Sequence, residues 1–357
     1  MSIRWTGNLV APETGRHTFA FTSDDGCRLY LDGKKLIDSW KIRAEETDYA
    51  SVYLEKGKTY KLVAEYFDND GEAIAKLAWR TPSTDSESLL DAYGDAGEII
   101  RGSDLTIAVL GIDRTIEREG QDRSTIELPE DQQIFIEEAY KANPNTVVVL
   151  VAGSSLAINW IDQNIPAVLD AWYPGEQGGT AVAEALFGDY NPGGRLAVTF
   201  PKSVGQIPFA FPFKPGSDES SSTSVYGVLY PFGHGLSYTT FSYGDLKISP
   251  LRQGVQGDIN ISCKIKNTGK IKGDEVVQLY LRDEVSSVTT YTKVLRGFEH
   301  ISLEAGEEQM VHFRLRPQDL GLWDKNMNFR VEPGKFKVMI GSSSTDIRLH
   351  GRFEIAP

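Results

Sequence analysis

Three carboxylate side chains lie close together in one stretch of the chain, Ile116 to Gln132, which reads IEREGQDRSTIELPEDQ. Glu117, Glu119 and Asp122 can each donate or accept a proton, and a loop with an internal glycine can direct such a side chain outward. The chemistry that these residues predict is general acid or base catalysis. The residues alone leave an alternative open, in which Asp122 and the two arginines of the stretch form a surface ion-pair lattice that contributes little energy.

The elements around this stretch are those of an α/β domain. The stretch follows the apolar run TIAVLG (106–111), and two more β-branched-rich runs, TVVVLVAG and AVLDAWYP, come later in the chain. Helix-like segments such as PEDQQIFIEEAYKAN separate or follow these runs, so we predict a mainly parallel sheet whose strands are buried on both faces. Ligands of open α/β sheets bind beyond the carboxyl ends of the strands, and the acidic stretch begins at such an end.

The pattern of the whole chain predicts three domains. Residues 1–82 read as antiparallel strands with glycine turns, residues 83–222 as the α/β sandwich, residues 223–244 as a connecting strap, and residues 245–357 as six or seven strands at turn spacings of about ten residues. The last pattern is typical of an immunoglobulin-like or fibronectin-type sandwich. A chain of 357 residues is long enough for this modular organisation.

Composition excludes several classes of function. A net charge of -13, without a basic run, argues against a nucleic-acid partner. The two cysteines fall in different predicted domains, so we expect free buried thiols, and with five scattered histidines they predict no metal site and no cofactor. No apolar run is long enough to span a membrane, and the first residues lack a basic segment followed by an apolar one. We therefore expect no membrane partner and favour a cytoplasmic location.

Five segments in order resemble the C-terminal half of family 3 glycoside hydrolases, the β-glucosidase and β-xylosidase family. They are EREGQDRSTIELPEDQ, WYPGEQGGTAVAEALFGDYNPGGRLAVTFP, YPFGHGLSYTTFSY, NTGKIKGDEVVQLYL and RGFEHISLEAGE. The first ninety residues resemble a PA14 domain without its opening strands, through RWTGNLVAPETGRHTFAFTSDDGCRLYLDGKKLIDSW and YKLVAEYFDNDGEAIAKLAW. The implied fold is a PA14-like β-sandwich, an α/β layered sandwich and a fibronectin type III-like β-sandwich.

The resemblance implies retaining hydrolysis of a β-linked glycoside or oligosaccharide. An aspartate nucleophile would come from a barrel domain, and a glutamate of the α/β sandwich would act as general acid/base. In family members with a similar EG-x-DR segment this acid/base precedes the glycine, which carries over to Glu119, with Glu117 as the fallback. We expect burial beside an anionic partner to keep such an acid protonated. Asp122 and Arg123 are expected to support the loop.

The sequence also departs from the family. The SDW-like and KHF-like segments of the barrel do not occur, and the similar triplet DSW at residues 38–40 lies within a predicted strand region. We therefore expect a missing segment or another chain to supply the barrel, and negligible hydrolysis from this chain alone. The alternative is a non-catalytic carbohydrate-binding or assembly module. A nucleotide-binding domain is disfavoured because no phosphate loop is present.

Three residues of the first module and one of the strap are weaker candidates. Asp24 and Asp25, within SDDG, could present carboxylates to a sugar or a calcium ion, although a strand-reversing turn needs the same residues and is favoured. Trp40 could stack on a sugar. His234, between two glycines, is interpreted as a hydrogen-bonded brace rather than a catalytic group.

Overall fold

The structure is a computed structural model of the 357-residue chain. It divides into two compact units, the first formed by Met1–Ala108 with Glu130–Thr146 and the second by Val109–Pro129 with Val147–Pro357. The residues that it describes are 1–69, 73–82, 95–120, 122–207, 211–216, 225 and 227–357. The predicted domain boundary at residue 83 and most of the serine-rich loop before the predicted strap lie outside the described residues.

The first unit begins with seven strands in two antiparallel sheets. They are β1 (Ser2–Val10), β2 (Gly15–Asp24), β3 (Gly26–Leu31), β4 (Lys34–Ser39), β5 (Glu46–Leu54), β6 (Thr59–Phe67) and β7 (Ile74–Arg80). The sheet orders are β1-β6-β3-β4 and β5-β2-β7. Alternate side chains of β2 and β3 are buried in the core, including Phe19, Phe21 and Leu29 at 2%, 1% and 0% exposure. The period-two pattern therefore predicted this antiparallel module correctly.

The α/β region has three strands in the order β10-β9-β8. Its elements are α1 (Ala96–Gly102), β8 (Thr106–Gly111), α2 (Glu130–Ala142), β9 (Thr146–Val151), α3 (Asn159–Asn164), β10 (Ala167–Asp170) and α4 (Gly178–Phe187). A short 3₁₀ helix follows at Val204–Gln206. Strands β9 and β10 pair in parallel, with Ala167 opposite Val147 and Asp170 opposite Leu150. Their carboxyl ends therefore meet at one edge of the sheet, as predicted.

The prediction that these strands are buried on both faces is correct for β9 and wrong for β8. In β9, Val148, Val149 and Leu150 are at most 1% exposed. In β8, by contrast, Ile107 and Val109 are 40% and 64% exposed. The physical reason is that β8 is an edge strand of the described sheet, and no element among the described residues covers these two side chains.

The last part of the chain forms a second β-sandwich, which is antiparallel except for the parallel pair of β12 and β20. Its sheets have the orders β11-β13-β16 and β12-β20-β19-β14-β15, with a small β17-β18 ribbon beside them. The elements are β11 (Phe241–Ser249), β12 (Arg252–Gly254), β13 (Ile259–Asn267), β14 (Gly273–Asp283), β15 (Val294–Leu303), β16 (Glu308–Leu315), α5 (Pro317–Leu320), β17 (Leu322–Trp323), β18 (Phe329–Arg330), β19 (Gly334–Gly341) and β20 (Ile347–Ala356). Apolar side chains of both sheets form one core, which includes Ile261, Leu279 and Val338. The fibronectin-like prediction is thus confirmed in its architecture.

Both cysteines are free and buried, as predicted, with Cys27 in the first sandwich and Cys263 in the last. Burial raises the pKa of Cys263 to about 11, so its thiol behaves as a small apolar side chain. Among the helices that the structure describes, none combines the length and the apolar character needed to cross a bilayer.

The segment around His234 connects the α/β region to the last sandwich. The His234 carbonyl accepts a hydrogen bond from the Leu196 amide at 2.8 Å, and its ring stacks on Tyr230 at 5.1 Å. The Gln278 side chain of β14 donates to the Gly233 carbonyl at 3.1 Å. A side chain at Gly233 would collide with Gln278, because a Cβ there would lie 2.1 Å from its Oε1. His234 thus contributes a backbone hydrogen bond and a stacked ring to this connection, and its interpretation as a hydrogen-bonded brace stays a prediction.

Candidate acid/base site

The acidic loop leaves the sheet at a tight contact between two strand ends. Gly111, the last residue of β8, has φ +155°, and a Cβ at this position would lie 1.8 Å from the Val151 carbonyl oxygen of β9. The next residue, Ile112, donates its amide to the same carbonyl at 2.9 Å. Only glycine permits this approach. The loop therefore starts directly beside the carboxyl end of β9.

Glu117 is anchored at that strand end by two partners. Ser154, just beyond β9, donates its hydroxyl to Glu117 Oε2 at 2.5 Å. The Arg123 guanidinium lies 3.1 Å from the same oxygen and donates to Ser154 Oγ at 2.6 Å. The Arg123 and Glu117 side chains are only 13% and 22% exposed. This three-residue network ties both sides of the loop to the sheet.

Tyr173 closes the other side of the network. Its hydroxyl donates to the Ile112 carbonyl at 3.2 Å, so the side chain spans from the end of β10 to the start of the acidic loop. Gly153 lies beneath it, because a Cβ there would be 2.6 Å from both Tyr173 Cε2 and Glu117 Oε1. Tyr173 nevertheless keeps 55% of its surface exposed. The loop is thus supported from two neighbouring strand ends.

Glu119 lies between the anchored residues and is exposed. Gly120 follows it with φ +76° and open space around its Cβ direction, and Asp122 is also exposed. Gln121 lies outside the described residues. The described residues do not bury Glu119 beside an anionic partner, contrary to the expectation from sequence. Arg123 supports the loop as expected, whereas Asp122 forms none of the network's contacts.

Asp170 is a carboxylate that the sequence reading did not single out. It ends β10, and its Oδ2 atom is buried with no hydrogen-bond partner in the structure. Burial raises its pKa to about 6, an effect that the hydrogen bond from the Trp172 amide to Oδ1 at 3.4 Å partly opposes. An Asp at the last position of a parallel strand, at the carboxyl edge of the sheet, is the signal that could have identified it.

The first unit holds the other predicted residues at one end of its sandwich. Asp25 is 2% exposed, and its two carboxylate oxygens accept the amides of Arg43 at 2.9 Å and Asn69 at 2.6 Å. These bonds serve the turn between β2 and β3, the role that the sequence favours. Asp24, which ends β2, is half-buried and accepts the Tyr66 hydroxyl at its carbonyl, at 2.5 Å.

Trp40 follows β4 and is 38% exposed. The Arg28 guanidinium lies over its ring at 4.4 Å, and Phe67 packs against it with ring centroids 4.7 Å apart. Part of its surface therefore remains accessible for stacking. Within the part of the chain that the structure describes, no group of three His, Cys, Asp or Glu side chains could hold a metal ion.

Comparisons with known proteins are consistent with this geometry. Residues 19–238 match the model of the glycosyl hydrolase family 3 C-terminal domain, and residues 275–344 match that of a fibronectin type III-like domain. A β-xylosidase of Formosa agariphila is 40% identical over 258 residues, covering 71% of this chain and 36% of that protein. A periplasmic β-glucosidase of Salmonella typhimurium is 34% identical, covering 86% of this chain and 41% of the relative.

The fold is also similar to a solved β-glucosidase. The structure of the Kluyveromyces marxianus enzyme in complex with glucose superposes with a TM-score of 0.72 at 27% identity, over 100% of this chain and 45% of that one. The chain therefore spans less than half the length of these relatives.

Proposed function

The chain belongs to glycosyl hydrolase family 3, whose C-terminal domain it carries, and from this premise we propose that it supplies the acid/base of a retaining β-glycosidase. The proposed enzyme is β-glucosidase-like and hydrolyses terminal β-linked sugars of glycosides or oligosaccharides. The nucleophile would come from a catalytic barrel outside these 357 residues. The first β-sandwich, residues 1–82, is proposed as an incomplete PA14-like domain, which its seven antiparallel strands and its sequence resemblance support.

The observation that carries the proposal is the different placement of the two loop glutamates. Glu117 already accepts a hydrogen bond from Ser154 and forms an ion pair with Arg123 on one oxygen, and Gly153 and Tyr173 lie near the other. Such a carboxylate is not available to a glycosidic oxygen. Glu119, two residues later on the same anchored loop, is exposed. We therefore assign the acid/base role to Glu119 and give Glu117 and Arg123 the role of holding the loop.

The chemistry would take place in two steps. A carboxylate of the barrel attacks the anomeric carbon while Glu119 protonates the departing oxygen, so that the C–O bond breaks and a glycosyl-enzyme forms. Glu119, now ionised, removes a proton from water, whose oxygen attacks the same carbon and releases the nucleophile. The two carboxyl groups must lie about 5 to 5.5 Å apart for this mechanism. An anchored loop serves this requirement, because it restricts the position of Glu119 before substrate binds.

The test is hydrolysis of aryl β-glycosides by the chain mixed with a separately produced family 3 barrel domain. Glu119→Ala should lower the rate on substrates with a poor leaving group by about 10²- to 10⁴-fold, and much less on a dinitrophenyl glycoside, which needs no acid. Azide should restore turnover of that activated substrate by replacing water as the nucleophile. The matched variant Glu117→Ala should lose activity without azide rescue, because its role is to hold the loop.

The outcomes separate the alternatives. Azide rescue of Glu117→Ala but not of Glu119→Ala would transfer the acid/base role to Glu117. A stoichiometric complex with the barrel that shows no hydrolysis would replace the catalytic proposal by a carbohydrate-binding or assembly module. The exposed position of Glu119, without an anionic partner among the described residues, is the observation that favours this second function.

A further inference from the structure

The last sandwich contains a cavity that the proposed reaction does not use. It has a volume of about 450 Å³ and lies at the connection between β14 and β15. Pro215, Arg282 and all residues from Asp283 to Tyr291 line it. The volume is similar to that of small-molecule sites, about 300 to 1,000 Å³, although this cavity is a depression that is widely open to solvent. One or two sugar rings therefore have room in it.

Hydrogen bonds to neighbouring strands hold the cavity wall in place. Glu332 accepts the Ser287 amide at 2.8 Å and the Ser287 hydroxyl at 2.5 Å, and the Glu284 amide donates to the Lys335 carbonyl at 3.0 Å. Ser286 Oγ donates to the Val288 carbonyl at 2.9 Å. A wall that is already ordered loses little conformational entropy when a ligand binds.

The side chains of the wall favour a neutral, hydroxyl-rich ligand. The Ser286 and Ser287 hydroxyls donate within the protein and keep lone pairs that can accept from a ligand. Thr290 shares a hydrogen bond with Ser286 at 3.2 Å, Thr289 supplies a further hydroxyl, and Arg282 supplies donors. An anion is disfavoured by the two carboxylates of the wall. A metal ion is disfavoured because the described residues provide no group of three suitable ligands. Of the two carboxylates, Glu284 is engaged by Arg352 at 2.8 Å.

Asp283 and Tyr291 are the two residues of the cavity that would orient a bound ligand. Asp283 Oδ1 accepts the Val285 amide at 3.3 Å, and no described residue donates to its second oxygen. Burial raises the pKa of Asp283 to about 6, so its carboxylate is ionised at neutral pH and accepts hydrogen bonds strongly. Tyr291 lines the cavity and is 43% exposed, and the Lys214 ammonium lies over its ring at 6.0 Å from the centroid, so one face of the ring is left for a ligand. An acceptor beside an aromatic face suits a sugar ring, which has hydroxyls at its edge and C–H groups on its faces.

We propose that this cavity is a second carbohydrate site, which binds a neutral mono- or disaccharide by stacking on Tyr291 and by hydrogen bonds to Asp283. The site is formed by the fibronectin-like domain and is independent of Glu119. It would hold a saccharide on the protein without hydrolysing it.

The experiment is a calorimetric and saturation-transfer NMR titration of the 357-residue chain with glucose, cellobiose and xylobiose. At least one probe should bind saturably, and Tyr291→Ala should weaken that binding about three- to tenfold, while Tyr291→Phe retains it. Asp283→Asn should weaken it as well. Tyr53→Ala is the matched control, because Tyr53 is a 66% exposed tyrosine outside the cavity wall. Glu119→Ala should leave the affinity unchanged.

Three results would overturn the proposal. The first is no saturable binding of any probe, and the second is binding that neither Tyr291→Ala nor Asp283→Asn alters. The third is binding that Glu119→Ala weakens and Tyr291→Ala does not, which would place the saccharide at the acid/base loop. Thermal unfolding of each variant shows that a loss of binding is not a loss of fold. The mixing assay with the barrel is separate, so failure of this site leaves the glycosidase proposal untouched.

Discussion

Asp170→Asn offers a quantitative test of the carboxyl edge of the sheet. Asp170 Oδ2 is buried without a hydrogen-bond partner among the described residues, and burial raises the pKa of the side chain from 3.8 to about 6. The folded protein therefore retains a proton on Asp170 at pH values where the unfolded chain has lost it. Because the folded state binds more protons, its stability decreases as the pH rises from about 4 to about 6, and levels off above that range.

The size of the effect follows from the shift in pKa. A pKa raised by about two units corresponds to a loss of about 3 kcal/mol in the free energy of unfolding over the full titration. About 2 kcal/mol of this loss falls between pH 4.5 and pH 7.5. Solvent reaches part of the carboxyl group, and screening reduces the expected loss to about 1 kcal/mol. Asparagine cannot ionise, so Asp170→Asn removes this pH dependence. The amide has its own burial cost, but that cost is the same at both pH values.

The assay is denaturant unfolding of the wild-type chain and of Asp170→Asn at pH 4.5 and pH 7.5, in salt sufficient to prevent isoelectric precipitation. The difference in free energy of unfolding between the two proteins should change by about 1 kcal/mol from pH 4.5 to pH 7.5, and the variant should gain relative stability at the higher pH. Asp283→Asn is a second test of the same kind: the pKa of Asp283 is also raised to about 6, so this variant should change the stability difference in the same direction. An equal stability difference at both pH values would refute the assignment of a buried, protonated Asp170.

Three further substitutions test the packing of the second unit by the same unfolding measurement. Arg195→Met removes the cation 2.7 Å from the buried Glu275 carboxylate and should lower the free energy of unfolding by about 3 to 5 kcal/mol. Adding Glu275→Gln should recover part of this loss, and no recovery would contradict the ion-pair explanation. Gly111→Ala should lower the free energy of unfolding by more than about 3 kcal/mol, because the new Cβ would collide with the β9 carbonyl. Gly120→Ala, where the Cβ meets open space, should cost about 1 kcal/mol. Equal losses for the two variants would contradict the close approach at Gly111. Ser154→Ala should cost about 1 to 2 kcal/mol, and no change would show that the hydroxyl does not hold Glu117.

The sequence was sufficient to predict an α/β region with a parallel sheet between segments that form antiparallel strands. Alternation in β2 and β3 indicates which side chains face a core, because a strand exposes alternate residues to opposite environments. The regular turn spacing after residue 245 indicates where the strands of the last sandwich begin and end. The family resemblance likewise depends on short contiguous segments, which a linear reading can compare directly. The acidic loop at the end of β8 was located for the same reason.

Burial of β8 could not be predicted from its residues. Its apolar run resembles that of β9, yet Ile107 and Val109 are exposed whereas Val148 and Val149 are buried. The apolar run of β8 indicates only that its side chains are apolar, and does not indicate whether they are covered. Position within the sheet determines whether another layer covers them, and that position is set by pairing between segments distant in sequence.

The proposed division of roles between Glu117 and Glu119 also depends on tertiary structure. The two glutamates are two residues apart in a loop without periodicity, so periodicity does not distinguish them, and only the family resemblance favoured Glu119. The distinction comes from Ser154 and Tyr173, which follow β9 and β10, and from the close approach at Gly153. These partners are 37 to 56 residues from Glu117 along the chain. Only the parallel pairing of the strands brings them together, because it places the carboxyl ends of separate segments at the same edge of the sheet.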